Sequence, residues 1–492
     1  VLALAVLAGH PQMAYYGMMM VAGVTVWLLG TRWYACGFQS IVSPVIGLAV
    51  AGLGGLLLAS IHLLPLLEFT KNSTRQDAVA ATDAYPLVQV IKALFGHTPP
   101  SAVPWENVMQ PGGLVLLLAA IGVIAAGRRM LPLLGGIVLI GVLAMGNASP
   151  LFDLAARVLP EFDGFRGLSR IWLVALLGIA LLAGIGAEAL LGLMHSYHPR
   201  YLRRNQLMLG FVMLLLVSIT LIKVDQGRAQ VRVVTASTPS PLERTVAQLA
   251  GTSRSYGVQR NLPQLGAVTL NLRMADGWDP LLIENFVKFM SKAGGYKIEG
   301  YQLTIPPVDD GKPNAKLLGL MHVGIVVSNK RLTDPGLLDI KTVGKVQISR
   351  NADDAGPAYL VKPAANGAPP TLDELQRLPG GVTPTRLSRE NDQFEATTNE
   401  PAYLVVADPA YPGWQATVDG KRANIEQIDG ILPAIKLTPG THTIVYHYAP
   451  SSVKLGALLA LAGLVLTFGG LLFGWMRIAD RRGRASSDWS SP

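Results

Sequence analysis

The chain is poor in charged residues and holds almost no cysteine. Only 15% of its 492 residues are charged, whereas 50% are hydrophobic. This balance is typical of a polytopic membrane protein and argues against a soluble globular one. The single cysteine, Cys36, excludes internal disulfides and thiolate metal clusters.

The sequence also lacks the motifs of common soluble enzymes. Beyond residue 223 there is no defensible Ser-His-Asp spacing, metal-ligand cluster or phosphate-binding loop. Asp408, Asp419 and Asp429 each precede turn residues, and turn chemistry explains them. We therefore predict no cofactor, and a divalent metal stays an open alternative. The net charge of +9 does not predict nucleic-acid binding, because the basic residues cluster beside hydrophobic segments.

Apolar runs near the bilayer-crossing length of about 17–25 residues are abundant. They cover residues 13–30, 41–67, 112–127, 131–145, 169–194, 207–222 and 453–476. A shorter run at 1–9 precedes them, and the chain begins with Val1 rather than Met. We expect this run to end a helix that starts upstream, so that the N-terminal helical domain is incomplete.

The connections between these runs alternate in their arginine content. One set carries Arg32, Arg128 with Arg129, the arginines of 200–204 and those of 477–484, with almost no acidic residue before the tail. In the other set, acidic residues offset the basic ones. Excess Lys and Arg on short connections marks the cytoplasmic side. The alternation predicts a cytoplasmic C-terminus and an extracytoplasmic segment 223–452.

We therefore expect a polytopic α-helical membrane domain plus a β-rich extracytoplasmic domain, the latter an α+β part followed by a β-sandwich-like module. Asp419-Gly420 between two short apolar stretches predicts a tight β-hairpin. The predicted divisions are a transmembrane helical domain (1–222), an α+β or β-rich sub-domain (223–380), a β-sandwich-like module (381–452), a C-terminal transmembrane helix (453–476) and an Arg-rich tail (477–492).

Polar side chains at the outer ends of the helical runs are candidates for binding a lipid phosphate. His10 and Gln12 flank Pro11, where a helix begins, and Arg166 and Arg170 precede the apolar stretch 171–194. Arginine matches phosphate oxygens with two hydrogen bonds, and polar groups at the membrane are costly unless they are used. The alternatives are a tight helix–turn–helix for the first pair, and pairing with nearby acids or ordinary lipid head groups for the arginines.

A second group of candidates lies near the end of the run 41–67 and in the β-sandwich-like module. Glu68 is a weak candidate for a catalytic base or a substrate contact, and could equally be a solvated charge at a helix end. Arg75, just beyond it, is a further candidate for phosphate binding. Tyr411 and Trp414 could stack on a sugar or fill a core.

Several blocks of the chain resemble the YfhO-type family of bacterial membrane proteins. The most specific is Tyr-Pro-Gly-Trp-Gln-Ala-Thr-Val-Asp-Gly-Lys at 411–421, and the others lie at 9–12, 63–75, 165–170, 317–328, 429–430, 437–442 and 446–450. The resemblance implies a GT-C-like membrane glycosyltransferase in the bacterial cytoplasmic (inner) membrane. Such enzymes take a sugar from a polyprenyl-phosphate carrier and add it to an envelope polymer, lipoteichoic acid being the family example.

The resemblance places the catalytic acid of such enzymes upstream of this sequence, so the base stays unknown. Its implied partners are membrane lipids, the polyprenyl-phosphate-linked sugar and an envelope glycopolymer acceptor. A non-catalytic envelope scaffold or glycan-binding protein is the alternative. A transporter fits less well, because it should show paired broken helices with polar midplanes, whereas these runs are polar mainly at their outer ends.

Overall fold

The structure is a computed structural model that describes residues 1–75, 86–94, 111–160, 162–165, 167–197, 208, 210–219, 238–279, 281–298, 303–307, 310–379 and 381–487. The chain divides into two compact units. Unit 1 consists of Val1–Ala59, Ala78–Val233 and Ala460–Pro492, and unit 2 consists of Ser60–Asp77 and Val234–Leu459.

The helices, in chain order, are α1 (Leu2–Leu7), α2 (Pro11–Cys36), α3 (Gln39–Lys71), α4 (Leu87–Leu94), α5 (Gly113–Ala126), α6 (Leu131–Leu143), α7 (Phe152–Val158), α8 (Trp172–Tyr197), α9 (Gly210–Ile219), α10 (Pro241–Ala250), α11 (Gln264–Thr269), α12 (Glu284–Gly294), α13 (Ala315–Leu320) and α14 (Ser451–Ser487). Helices α3 and α14 contribute residues to both units.

Among the described residues, five apolar segments are long enough to cross a membrane. They are Pro11–Cys36, Gln39–Lys71, Gly113–Leu143, Leu168–Leu193 and Ser451–Met476. Each has at least the roughly 20 residues that a bilayer requires. Together with the β-rich part described below, they confirm the predicted fold class of a polytopic helical membrane domain joined to a β-rich domain.

The two separate crossings predicted at 112–127 and 131–145 are wrong, because α5 and α6 form one interrupted run. A Cβ on Gly122 would lie 2.1 Å from the carbonyl oxygen of Leu182 in α8, and one on Gly141 would lie 2.9 Å from the ring of Trp172. The residues that contact α8 thus approach its N-terminal end as the chain proceeds along α5 and α6. Both helices run antiparallel to α8, so they cannot form a hairpin.

A 3₁₀ turn at Gly127–Met130 makes the interruption, and it contains Arg128 and Arg129. Gly127 adopts φ +60°, which ends α5 without ending the run. The two arginines therefore lie inside a membrane-length segment instead of in a connecting loop. The predicted alternation of arginine-rich connections therefore loses the connection at 128–129.

The strands of the described residues all lie in unit 2. They are β1 (Arg254–Gly257), β2 (Gly277–Trp278), β3 (Thr304–Ile305), β4 (Val323–Ser328), β5 (Leu337–Val343), β6 (Val346–Asn351), β7 (Ala358–Val361), β8 (Val382–Arg386), β9 (Asn391–Thr398), β10 (Ala402–Val406), β11 (Trp414–Val418), β12 (Lys421–Ala423), β13 (Ile425–Ile428), β14 (Leu432–Leu437) and β15 (Gly440–Tyr448).

The first half of unit 2 is a mixed α/β layer. Its four-stranded sheet has the order β1-β4-β6-β5, with β1 parallel to β4 and the other pairs antiparallel. The short pair β2 and β3 lies apart from this sheet. Helices α12 and α13 supply core residues such as Phe289, Met290 and Leu318, which are fully buried.

The second half of unit 2 is a β-sandwich. One sheet has the order β13-β14-β10-β7, and the other has the order β12-β11-β15-β9-β8. Strand β7 ends at Val361 and pairs with β10, so the sandwich begins upstream of the predicted division at residue 380. The predicted hairpin is confirmed, since β11 and β12 join through Asp419 and Gly420, both with positive φ.

All five residues of β10 are buried, because this strand faces two cores. Ala402, Leu404 and Val406 pack between the two sheets of the sandwich. Tyr403 and Val405 point the other way, into the core that contains the helices of the α/β layer. Alternate side chains of a strand point to opposite faces of its sheet, so a continuous apolar run is what this position requires.

Candidate functional site

A cavity of about 600 Å³ opens in unit 2, between the last turns of α3 and one end of the sandwich. This volume is within the usual range for small-molecule sites. Its lining residues come from α3, from the start of α12 and from the segments that flank β9, β10, β11 and β15. They are His62, Pro65, Leu66, Glu68, Phe69, Ile283, Arg389, Asp408, Pro409, Tyr411, Trp414 and Tyr448.

The turn before β11 places the aromatic residues of this cavity. Gly413 adopts φ +98°, and a Cβ there would lie 2.9 Å from both Pro450 and the ring of Tyr448. Only glycine fits this close approach without strain. The turn therefore brings Trp414 directly opposite Tyr448 in the pairing of β11 with β15.

Four aromatic rings form one wall of the cavity. The ring centroids of Phe69 and Tyr411 are 5.7 Å apart, those of Tyr411 and Tyr448 are 6.4 Å apart, and those of Tyr448 and Trp414 are 5.3 Å apart. Behind them, Trp414 stacks on the buried Tyr446 with centroids 4.3 Å apart and an angle of 6° between the rings. This support fixes the orientation of the Trp414 ring.

Carboxylates and a guanidinium lie beside the aromatic wall. Asp408 is 27% exposed and pairs with Arg254, while Arg389 lines the cavity separately. Burial raises the pKa of Tyr411 to about 12, with smaller contributions from Tyr448 and from the negative charge of Glu68. The phenol is therefore a neutral hydrogen-bond donor at physiological pH.

The structure brings three of the sequence-predicted site residues together. Glu68, Tyr411 and Trp414 all line this cavity. Arg75 does not line it; it follows a short segment in which the Thr74 N–H donates to the Leu282 carbonyl at 2.9 Å.

The other predicted residues lie in unit 1, at the starts of α2 and α8. His10 caps α2 and accepts a hydrogen bond from the Met13 N–H at 3.4 Å. Gln12 is only 4% exposed, and its Oε1 accepts a hydrogen bond of 2.8 Å from Arg170. Its Nε2 donates to the hydroxyl of Tyr16 at 2.9 Å. Arg166 lies outside the described residues.

Sequence reasoning missed several residues of the cavity. Arg389 carries no local signal, since it sits in a polar turn that could be any loop. Tyr448 lies inside a resembling block but was not singled out there. Asp408 was assigned to turn chemistry, because its partner Arg254 is 154 positions away in the chain. Among the described residues, no group of three His, Cys, Asp or Glu side chains is placed to hold a metal ion.

One family model matches part of the chain. Residues 380–460 match the model of the family described as bacterial membrane protein YfhO. The matched region includes Arg389, Asp408, Tyr411, Trp414 and Tyr448, and the match confirms the resemblance predicted from the sequence. A search of curated proteins and a search of solved structures each found no significant match.

Proposed function

We propose that this YfhO-like membrane protein is a glycosyltransferase of the GT-C type. It transfers a sugar from a polyprenyl-phosphate carrier to an envelope polymer or lipid at the extracytoplasmic face of a bacterial inner membrane. The observation that carries the proposal is the two-sided cavity of unit 2. One side comes from the end of a membrane-length helix and combines apolar residues with His62 and Glu68, and the other side is aromatic and polar.

Such a cavity suits an amphiphile whose head is a sugar. The rings of Tyr411 and Trp414 offer flat faces to the C–H groups of a pyranose. Glu68 and Asp408 supply carboxylate oxygens that accept hydrogen bonds from sugar hydroxyls. Pro65 and Leu66 of α3 offer an apolar surface to the first isoprene units of the lipid.

The proposed transfer is a displacement at the anomeric carbon. The acceptor hydroxyl attacks this carbon, and its bond to the phosphate oxygen breaks, so that the lipid phosphate leaves with the bonding electron pair. Glu68 is the candidate within this chain for taking the hydroxyl proton. Arg389 lies in the same cavity and would stabilise the negative charge of the departing phosphate.

The unit 1 candidates serve in this proposal to bind the lipid phosphate before transfer, and Arg75 of unit 2 is a separate candidate for phosphate binding. Arg170 is held by Gln12, so its guanidinium is already oriented. His10 and Arg166 flank this pair in the sequence. Arginines suit this role because their planar fork matches phosphate oxygens.

The proposed sidedness rests on basic residues at helix ends. Within unit 1, α3 and α14 run antiparallel: Gly54 approaches Thr467, and Leu57 approaches Gly463. The start of α3, next to Arg32, and the end of α14, next to the basic residues of 477–484, therefore lie on one side. An excess of arginine there favours the cytoplasm.

The test is transfer by the purified full-length protein in detergent or liposomes. The donors are prenyl phosphates that carry glucose, galactose or N-acetylglucosamine. We expect Trp414→Ala to weaken donor binding about tenfold or more, because stacking of a ligand on an aromatic side chain typically contributes about 1–3 kcal/mol. Trp278→Ala is the matched control, because Trp278 is 61% exposed and does not line the cavity.

Glu68→Gln distinguishes a glycosyltransferase from a glycan-binding scaffold. A scaffold could bind its glycan on the same aromatic wall. Loss of turnover with donor binding retained supports Glu68 as the base. Binding of the donor without turnover by the wild-type protein favours the scaffold. If the wild-type protein binds none of the three donors, or if Trp278→Ala and Trp414→Ala weaken binding equally, the cavity is not the sugar site.

A further inference from the structure

Arg254 stands behind the cavity and does not line it. It lies on β1, in the α/β layer of unit 2, and its side chain is 16% exposed. One guanidinium nitrogen donates to two main-chain carbonyls, at 2.7 Å to Met321 and 2.6 Å to Ala407. The other terminal nitrogen pairs with Oδ1 of Asp408.

These contacts fix the guanidinium from both halves of unit 2. Met321 follows α13 in the α/β layer, whereas Ala407 and Asp408 follow β10 in the sandwich. Arginine's rigid planar fork bonds the carbonyls with one nitrogen and the carboxylate with the other, a geometry that the single nitrogen of lysine does not reproduce. Among the described residues, no donor contacts Oδ2 of Asp408, so that oxygen is left for a ligand in the cavity.

We propose that Arg254 is a positioning residue for the sugar site and acts through Asp408. The inference rests on the proposed function of the cavity and deepens it by naming a residue outside its lining. By pairing with Oδ1, Arg254 holds the Asp408 side chain in one orientation and compensates its charge. The carboxylate then offers Oδ2 to a sugar hydroxyl without having to be ordered when the ligand binds.

A purely structural role predicts a different outcome. If Arg254 only joined the carbonyls of Met321 and Ala407, its loss would lower stability without regard to the side chain at position 408. If it acts through the carboxylate, its effect on the cavity depends on Asp408. A double-mutant cycle with Arg254→Gln and Asp408→Asn measures this dependence.

A measurement without ligand decides the positioning role by itself. The full chain is labelled with 5-fluorotryptophan, and its ¹⁹F spectrum is recorded in detergent, with the Trp414 resonance assigned by Trp414→Phe. Trp414 reports on Asp408, because both line the cavity, and the pKa of Tyr446, stacked under Trp414, is raised by burial and by the nearby charge of Asp408. The exposed Trp278 gives the internal reference.

We expect Arg254→Gln to shift the Trp414 resonance in the native background and to cause no further shift in the Asp408→Asn background. Equal shifts in both backgrounds, or no shift in either, would overturn the inference. Arg254→Lys keeps the charge and gives a second variant if Arg254→Gln does not fold; we expect it to give an intermediate shift that also disappears with Asp408→Asn.

The same variants are then titrated with the three prenyl-phosphate hexoses. We expect Arg254→Gln to weaken binding about tenfold in the native background, and to weaken it little when Asp408→Asn is already present. Failure of the wild-type protein to bind any donor would remove the proposed function, while the ¹⁹F cycle would still decide whether Arg254 controls Asp408. Additive losses of affinity would contradict the positioning role alone.

Discussion

Asp276 is a buried acid whose replacement should stabilise the protein. It lies between β1 and β2, and its Oδ1 has no hydrogen-bond partner. The hydroxyls of Tyr256 and Tyr296, whose pKa values are raised by burial and by the nearby charge of Asp276, are also buried and unpaired. Burial raises the pKa of Asp276 from 3.8 to about 7, opposed in part by the Gly257 N–H.

The magnitude follows from this pKa. Below about pH 4 the acid is protonated in both the folded and the unfolded protein, so it costs nothing. Between pH 3.8 and about 7 only the unfolded form ionises, and stability falls by about 1.4 kcal/mol per pH unit. Above pH 7 the loss levels off at about 4 kcal/mol. Asp276→Asn keeps the shape and removes this cost.

The assay is thermal unfolding of the full chain in detergent from pH 4.5 to 8.5. We expect Asp276→Asn to exceed the wild-type melting temperature by about 10 °C at pH 8, since about 1 kcal/mol corresponds to about 2–4 °C for a unit of this size. The gain should shrink as the pH falls to 4.5. Glu374→Gln removes an exposed carboxylate and should change little at any pH. An advantage of Asp276→Asn that is the same at pH 4.5 and 8 would refute the reasoning.

The remaining predictions concern helix packing, the cavity turn and one histidine. Gly122→Ala should lower the melting temperature, because its Cβ would lie 2.1 Å from a backbone oxygen of α8, whereas Gly135→Ala in open space should not. Gly413→Ala should weaken donor binding and stability more than Gly420→Ala, which adds backbone strain with no close contact. A hydrogen bond to Asp419 raises the pKa of His442 above 6.5, so the stability it contributes is present below pH 6.5 and lost as the pH rises through the folded value. Asp419→Asn should therefore lower the pKa of His442 in an NMR titration, and an unchanged pKa would contradict this origin.

Local patterns were sufficient to predict much of this fold. The Asp419-Gly420 pair specifies a hairpin because both residues tolerate positive φ, and long apolar runs specify membrane helices by length alone. The Pro-Gly-Trp sequence marked Trp414 because a glycine between proline and an aromatic residue indicates a constrained turn.

Features set by distant residues were not predictable in this way. The arginine pair at 128–129 has the composition of a loop, and only packing against α8 reveals that α5 and α6 continue one run. Likewise, no residue near Asp408 in the sequence predicts its pairing with Arg254. Charge and periodicity describe neighbours along the chain, whereas the cavity is assembled from α3, the turn before β9, and the ends of β10 and β15.

Strand β10 has a consequence for how unit 2 unfolds. Its five side chains are divided between the sandwich core and the α/β core. Exposing either core therefore removes about half of the packing contacts of this strand. The two halves should therefore melt in a single cooperative transition, and proteolysis should yield no stable half. A destabilising substitution in either half would then lower the fraction of molecules in which the cavity is folded, even when the substitution lies far from any lining residue.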